Sequence, residues 1–317
     1  MRCKDQKRDI TGYLAVQDRV EDVLTELGFS EKDRKTAERN GQIKIHDHLI
    51  FVEDLPRPSL WSQNIWLNPR ILQVKSISDA AEQLKSIQRN WVLHSVTEHR
   101  RAKLIQAKLP KIKNEPLRFL EQPKTQIIGS WTLLDKTTLI ASPECSSQFP
   151  NGEVQFCEDK KIPPNRAYLK LWELFTLRQR YPQKNARCLD LGSSPGGWTW
   201  VLQTLGACVI SVDKAPLEPR IARLPNIEFR KQSAFSIEPK DLGPIDWLFS
   251  DIICYPERLY KYLQRWLGSG LCQNYVCTLK FQGKTDVKTI ESFASIEGGK
   301  LLHLSNNKHE LTWVKFA

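Results

Sequence analysis

Apolar and polar positions along this chain follow two different rhythms. From Gly12 to Phe29 a short apolar run precedes an amphipathic helical pattern, Val20 to Leu27, that stops at Gly28. Ile43 to Ile45 and Leu49 to Val52 alternate on either side of His46-Asp47-His48, which predicts a hairpin. After turns marked by Pro56, Pro58 and Pro69, the pattern predicts a strand over Ile71 to Val74 and a helix over Asp79 to Gln88 capped by Ser78. Trp91 to Val96 predicts a strand, and Thr97 a cap for a helix over Glu98 to Leu109. Ile127 to Leu134 and Thr138 to Ser142 predict a second hairpin, and Glu153 to Cys157 a last strand. Strands and helices mixed in this way predict a compact α+β domain over residues 1–159.

From residue 160 the rhythm is regular. Lys160 to Asn165, with Pro163-Pro164, reads as a linker, and a helix is expected over Arg166 to Arg180. Strand and helix patterns then alternate: Arg187 to Leu191, Gly197 to Leu205, Cys208 to Val212, Ile227 to Arg230, Ile245 to Ser250, Glu257 to Leu267, Tyr275 to Phe281 and Val287 to Ile296. Such alternation predicts right-handed crossovers and a parallel sheet covered on both faces. Lys300 to Leu304 and Glu310 to Phe316 are joined only by the short loop Ser305 to His309, so they are expected to pair antiparallel. The second domain, residues 160–317, is therefore read as α/β.

Composition changes this picture little, and charge changes it more. The 317 residues suffice for two domains, and 26% charged with 40% hydrophobic residues is ordinary for a globular protein. A net charge of +11 points to a polyanionic partner. Part of the excess is concentrated: His99 to Arg118 carries Arg100, Arg101, Lys103, Lys108, Lys111, Lys113 and Arg118 against the single acid Glu115. This run can neutralise phosphates, and it also fits a solvated helix face. No apolar stretch is long enough to span a bilayer, and Met1 to Ile10 is charged with no apolar core behind it, so a cytoplasmic protein is expected. The eight cysteines form no Cys-x-x-Cys pair and the six histidines fall in no ligand spacing, so no metal site is expected.

The stretch Arg187 to Thr199 concentrates the candidate chemistry. A buried-strand pattern breaks at Gly192 and passes through Pro195-Gly196-Gly197 into a helix, a place where the backbone can approach a small ligand at the strand's carboxyl end. Gly-x-x-x-Gly-Gly differs from the Gly-x-Gly-x-x-Gly of nicotinamide-dependent enzymes, and no Gly-Lys-Ser/Thr follows, which argues against a dinucleotide or a triphosphate. Asp213 ends the next strand pattern, where a carboxylate can accept both hydroxyls of a ribose.

Asp-Leu-Gly-x-x-Pro-Gly-Gly-Trp, Asp190 to Trp198, resembles the S-adenosylmethionine loop of the FtsJ-like RNA ribose 2′-O-methyltransferases. Lys170 in Arg-Ala-Tyr-Leu-Lys-Leu-Trp-Glu, Asp251 in Phe-Ser-Asp-Ile, Lys280 in Thr-Leu-Lys-Phe-Gln-Gly and Glu310 in Lys-His-Glu-Leu-Thr resemble, in order, that family's Lys-Asp-Lys-Glu catalytic set. Pro164 to Leu171, Ser211 to Asp213 and Leu279-Lys280 also resemble the branch that methylates a cytidine ribose in large-subunit ribosomal RNA. The likeness covers the chain from about Pro163 onward; upstream, only Ser78 to Leu109 hints at that branch's RNA-binding THUMP domain.

The resemblance implies a class I, Rossmann-like methyltransferase fold with an antiparallel C-terminal hairpin, preceded by a smaller RNA-binding domain. It implies S-adenosylmethionine as cofactor, held by Gly192, Ser194, Pro195, Gly196, Gly197, Trp198, Asp213, Ser233 and Asp251, and RNA, ribosomal RNA above all, as partner. Lys231-Gln232-Ser233 stands where the family usually has an aspartate that reads the adenine amino group. For the reaction, a ribose 2′-hydroxyl must lose its proton while oxygen, methyl carbon and sulfur are in line. Lys280 is expected to take that proton beside a second cation, Lys170, with Asp251 holding the pair and Glu310 orienting Lys170.

Two other readings remain: a catalytically silent RNA-binding or assembly factor on the same fold, and methylation of a different RNA such as tRNA. A base or protein methylase fits less well. Ser250 to Pro256 matches neither an Asn/Asp-Pro-Pro-aromatic motif nor a Pro-Cys nucleophile.

Overall fold

The computed structural model describes residues 9–317. Most of the charged stretch Met1 to Ile10, with Cys3, lies outside the described residues. The chain forms two compact units, one ending at Pro116 and resuming over Lys124–Gln155, the other comprising Leu117–Pro123 and Phe156–Ala317. The division therefore falls at Gln155/Phe156, a few residues before the expected linker, and the expected boundary misses a segment. Leu117–Pro123 joins the C-terminal unit because Phe119 stacks on Trp172 at 5.1 Å and Leu120 N–H donates to Thr176 Oγ1 at 3.0 Å.

The N-terminal unit runs β1 (Thr11–Ala15), α1 (Val20–Glu26), α2 (Glu31–Arg39), β2 (Ile43–His46), β3 (Leu49–Val52), β4 (Ser62–Trp66), β5 (Arg70–Gln73), α3 (Ile77–Ile87), β6 (Trp91–Leu93), α4 (His99–Ala107), β7 (Gly129–Leu133) and β8 (Thr138–Ser142). One antiparallel sheet has the order β2-β3-β1-β4, and a mixed sheet has the order β5-β8-β7-β6. Helices α3 and α4 bury Ala80, Leu84, Ala102 and Ile105 with Trp91 and Trp131 of the mixed sheet.

Several expected caps and ends move. Ser76, not Ser78, caps α3 by accepting from Asp79 N–H, and Thr97 bonds to Leu133 O while Glu98 occupies the N-cap of α4 in a left-handed conformation. Helix α2 and strand β4 escape the pattern: α2 is so polar that only Ala37 is buried, and β4 is recognisable only from its pairing with β1. Glu153 to Cys157 makes a single bridge, Leu117 to Phe156, and no strand.

The C-terminal unit runs α5 (Tyr168–Arg178), β9 (Arg187–Leu191), α6 (Gly197–Thr204), β10 (Cys208–Asp213), α7 (Pro219–Ala222), β11 (Ile227–Lys231), α8 (Pro239–Leu242), β12 (Ile245–Ser250), α9 (Pro256–Ser269), β13 (Cys272–Lys280), α10 (Val287–Ala294), β14 (Gly299–Leu302) and β15 (Glu310–Lys315). Its seven strands have the order β11-β10-β9-β12-β13-β15-β14, parallel from β11 to β13. This is the class I methyltransferase arrangement. The last two strands pair as expected, but β15 also inserts between β13 and β14 and runs antiparallel to both. Burial explains the insertion: four of the six residues of β15 are buried, whereas β14 offers none and serves as an edge.

Candidate active site

Parallel strands end on one side of a sheet, and here Gly192 follows β9, Asp213 ends β10, Asp251 follows β12 and Lys280 ends β13. The order reverses between β9, which continues to β10, and β12, so the ends part into a crevice. A cleft of about 490 Å³ lies there, and it is lined by Gly192, Ser194, Asp213, Ser233, Asp251 and Lys280 among the expected residues. Asn165, Lys214, Ala234, Phe235, Ile252, Ile253 and Arg258 line it as well. Sequence reasoning missed these seven, because the fold brings them in from connections and from the start of α9, where no local pattern marks them.

Asp213 is held on its main-chain side. Its Oδ2 accepts from Ser194 N–H at 3.0 Å and its Oδ1 from Ala215 N–H at 2.9 Å. Each oxygen retains a lone pair, so the carboxylate is both fixed and able to accept further donors from the cleft. These residues fit an adenosine ribose.

The four other loop positions pack closely against neighbouring elements. Pro195, Gly196, Gly197 and Trp198 do not line the cleft. A Cβ at Gly196 would meet Ile221 Cγ2 at 2.8 Å, one at Gly197 would collide with Asn165 Oδ1, and Trp198 is buried with its indole N–H donating to Ala167 O at 2.9 Å. The double glycine thus lets α6 pack against its neighbours. Only Gly192, at φ +77° and with its missing Cβ facing Ile252, brings bare backbone to the cleft.

Asp190, absent from the expected site, sits directly beneath. Its Oδ2 accepts from the Thr199 hydroxyl at 2.6 Å, and that hydroxyl lies 2.8 Å from Ser211 Oγ, tying α6 to β9 and β10. Burial pushes its carboxyl up to about 7, with nearby Asp251 and Asp213 adding to the shift against the Thr199 bond.

The four family-like residues converge. Lys170 Nζ lies 3.1 Å from Asp251 Oδ1 and 2.5 Å from Glu310 Oε1. Lys280 Nζ lies 3.1 Å from the same Asp251 oxygen and donates to the Asp251 main-chain carbonyl at 2.7 Å. Lys280 and Glu310 are register partners on β13 and β15. The two lysines differ in surroundings: the Lys170 side chain is 7% exposed and that of Lys280 is 20% exposed, so only the latter reaches the cleft. Burial works against the charge of Lys170, but Asp251 and Glu310 outweigh it and raise its pKa above the ordinary value. Lys170 is therefore a fixed cation, and Lys280 the lysine that can meet a substrate.

One turn beyond Lys170, Glu173 holds the segment that brings Glu310 in. Both its carboxyl oxygens accept from Ser305 N–H, at 3.0 and 2.9 Å, and the Ser305 hydroxyl donates to Oε1 at 3.1 Å. Burial pushes the carboxyl up to about 7 despite these bonds. Sequence reasoning passed over it, since a glutamate on a helix is ordinarily solvated.

In the N-terminal unit, Arg100, Lys103, Lys108, Lys111 and Lys113 are exposed and Arg101 is half-buried. None of the six makes an ion pair among the described residues. Lys103 and Lys111 border a cleft of about 610 Å³ whose apolar lining includes Trp91, Leu93, Leu109 and Ile112.

Residues 163–295 match the family described as FtsJ-like methyltransferase. Proteins called ribosomal RNA large subunit methyltransferase M are similar over a little less than half of the chain. That of Pseudomonas putida is 32% identical over 151 residues, covering 46% of this chain and 42% of its own length. Those of Azotobacter vinelandii, with 32% identity and the same coverage, and Thauera aminoaromatica, 28% identical over 47% of this chain and 45% of its own, are comparable. The matched stretch thus spans less than half the length of these relatives. Among solved structures, fibrillarin of Aeropyrum pernix with bound S-adenosyl-L-methionine is 15% identical with a TM-score of 0.32, covering 42% of this chain and 67% of its own. That likeness is too distant to bear on the site.

Proposed function

We propose that the FtsJ-like methyltransferase domain of this chain transfers a methyl group from S-adenosylmethionine to a ribose 2′-hydroxyl of RNA, ribosomal RNA being the first candidate. The reading is carried by one observation: two lysines share a single oxygen of Asp251 at the edge of the cleft, with Glu310 holding the more buried one. When bound, S-adenosylmethionine supplies an electrophilic methyl group on a sulfonium.

The chain's residues do the rest. Asp213 accepts the ribose hydroxyls of the cofactor, Ser233 accepts one hydrogen bond from its base, and the bare backbone at Gly192 allows close approach. Lys280, as the neutral amine, meets the 2′-hydroxyl and takes its proton on its nitrogen lone pair as the new bond forms, while Lys170 remains cationic and keeps Asp251 in place. Glu310 fixes Lys170, and Glu173 fixes the segment leading to Glu310. In the N-terminal unit, the exposed cations Arg100, Lys103, Lys108, Lys111 and Lys113, with Arg101 beside them, bind the phosphate backbone.

The test is to incubate the full chain with S-adenosylmethionine and ribosomal RNA from cells lacking the gene, and to analyse the nucleosides by mass spectrometry. One new 2′-O-methyl nucleoside is expected. RNA binding without any methylated product overturns the reading in favour of a silent RNA-binding factor.

A further inference from the structure

The loop after Asp251 carries two large apolar side chains that packing does not explain. Ile253 is 80% exposed and Tyr255 is 65% exposed, while Cys254 and Pro256 are buried. Alternation along an extended segment turns Ile253 and Tyr255 outward together and uses Cys254 and Pro256 as anchors. Pro256 opens α9, so the loop is held at both ends, by a strand and by a helix. Among the large apolar side chains exposed in the described residues, Tyr255 is the one aromatic.

The surroundings indicate what would cover this pair. Ile253 and Ile252 line the cleft together with three basic side chains, Lys214, Arg258 and Lys280. The Arg258 guanidinium lies 4.0 Å over the Phe235 ring, which fixes its direction. An apolar rim beside cations suits a ligand with a flat apolar face and an anionic chain, as a nucleotide has. Lys280 is recessed, so an acceptor ribose must enter the cleft to reach it, and a nucleotide stacked between neighbours in a duplex must leave its stack to do so. Its base then stands beside the rim and needs a surface to replace the lost stacking.

We infer that Ile253 and Tyr255 form the platform on which the base of the target nucleotide stacks, so that the protein takes its nucleotide from unpaired RNA. This rests on the function proposed above. Aromatic stacking is tolerant of base identity, so the platform selects for unpaired structure more than for sequence.

The experiment measures binding of a fluorescent, mixed-sequence 12-nucleotide RNA, single-stranded and annealed to its complement, to the full chain saturated with S-adenosylhomocysteine. The wild type is expected to prefer the single strand by roughly 5- to 150-fold, the worth of one stacked base. Tyr255→Ala should lose most of that preference, and Tyr255→Phe should keep it. Because Tyr255 is exposed, both variants should unfold at the wild-type temperature and bind S-adenosylhomocysteine unchanged. A Tyr255→Ala protein with the wild-type preference overturns the platform, as does a wild type that binds both RNAs equally. Failure of the wild type to bind either RNA, with the homocysteine derivative still bound, overturns the platform together with the proposed function. Equal loss of binding by Tyr255→Ala and Tyr255→Phe would point to the hydroxyl and also overturn stacking.

Discussion

The basic side chains of the two units sit in opposite surroundings. Lys170 and Lys280 are recessed and tied to carboxylates at 2.5 to 3.1 Å, whereas the run from Arg100 to Lys113 is mostly exposed and makes no ion pair among the described residues. A group that must meet one hydroxyl has to be fixed within fractions of an ångström, and buried pairing does that. Groups that must meet a polyanion at many places are better left free, since a carboxylate partner would cancel their attraction to phosphate. Under the proposed function, paired charge would mark the site of chemistry and unpaired charge the site of grip, and the contrast can be probed from both ends.

The largest effect is expected at the recessed end. Lys280→Ala should lower turnover on the RNA by roughly 10² to 10⁴, the usual worth of a positioned acid or base, and leave cofactor binding nearly intact. Lys280→Arg should be almost as damaging, because a guanidinium does not give up its proton. Single-turnover kinetics with both variants check this, and an active Lys280→Arg enzyme would remove proton transfer from the role of Lys280.

Next comes a buried carboxyl that is not paired with a cation. Glu173 has its pKa pushed up from 4.5 to about 7, so between those values the unfolded chain gives up a proton that the folded chain keeps. The stability it contributes is complete below pH 4.5 and is lost as pH rises to about 7. Glu173→Gln, which stays neutral and can still accept from Ser305, should thus gain about 3 kcal/mol relative to wild type across that interval. Urea unfolding at several pH values measures the difference; parallel profiles would mean that Glu173 titrates as an ordinary surface acid.

A smaller loss is expected where a carboxylate is fixed but only partly used. Asp213→Ala should weaken S-adenosylmethionine binding by about 1.5–3 kcal/mol, the scale of lost hydrogen bonds to a charged group. Calorimetry at constant salt measures it, and unchanged affinity would exclude Asp213 from the cofactor site.

The smallest change per residue belongs to the exposed run. Reversing Arg100, Lys103 and Lys108 to Glu should weaken RNA binding and flatten its dependence on salt, by a slope of about 0.7 for each phosphate of single-stranded RNA that is no longer neutralised. Arg101 is left out of this set because it is half-buried with its Nε enclosed and unbonded, so reversal there would disturb folding. An unaltered slope would reduce the run to a solvated face and end the contrast between the units.

Amphipathic alternation was enough to reveal the α/β unit, since strands buried on both faces are continuously apolar and the helices between them are periodic. The N-terminal unit was less legible. Helix α2 buries little, β4 depends on β1 for its pairing, and the stretch 153–157 looks apolar but only bridges to Leu117.

By itself, the sequence determined the kind of site: Gly192, Asp213, Asp251 and Lys280 lie at or just past the ends of four strands of one parallel sheet, and parallel strands must end on the same side. Only the tertiary structure decided how those residues act. It brought Lys170, Asp251 and Glu310 together from distant parts of the chain, packed Gly196, Gly197 and Trp198 closely against their neighbours, and buried Glu173 against Ser305. The physical reason is that strand order fixes where chain ends emerge. Whether a charge is paired, exposed or neutral depends on desolvation and on neighbours far away in sequence, and those exist only once the chain has packed.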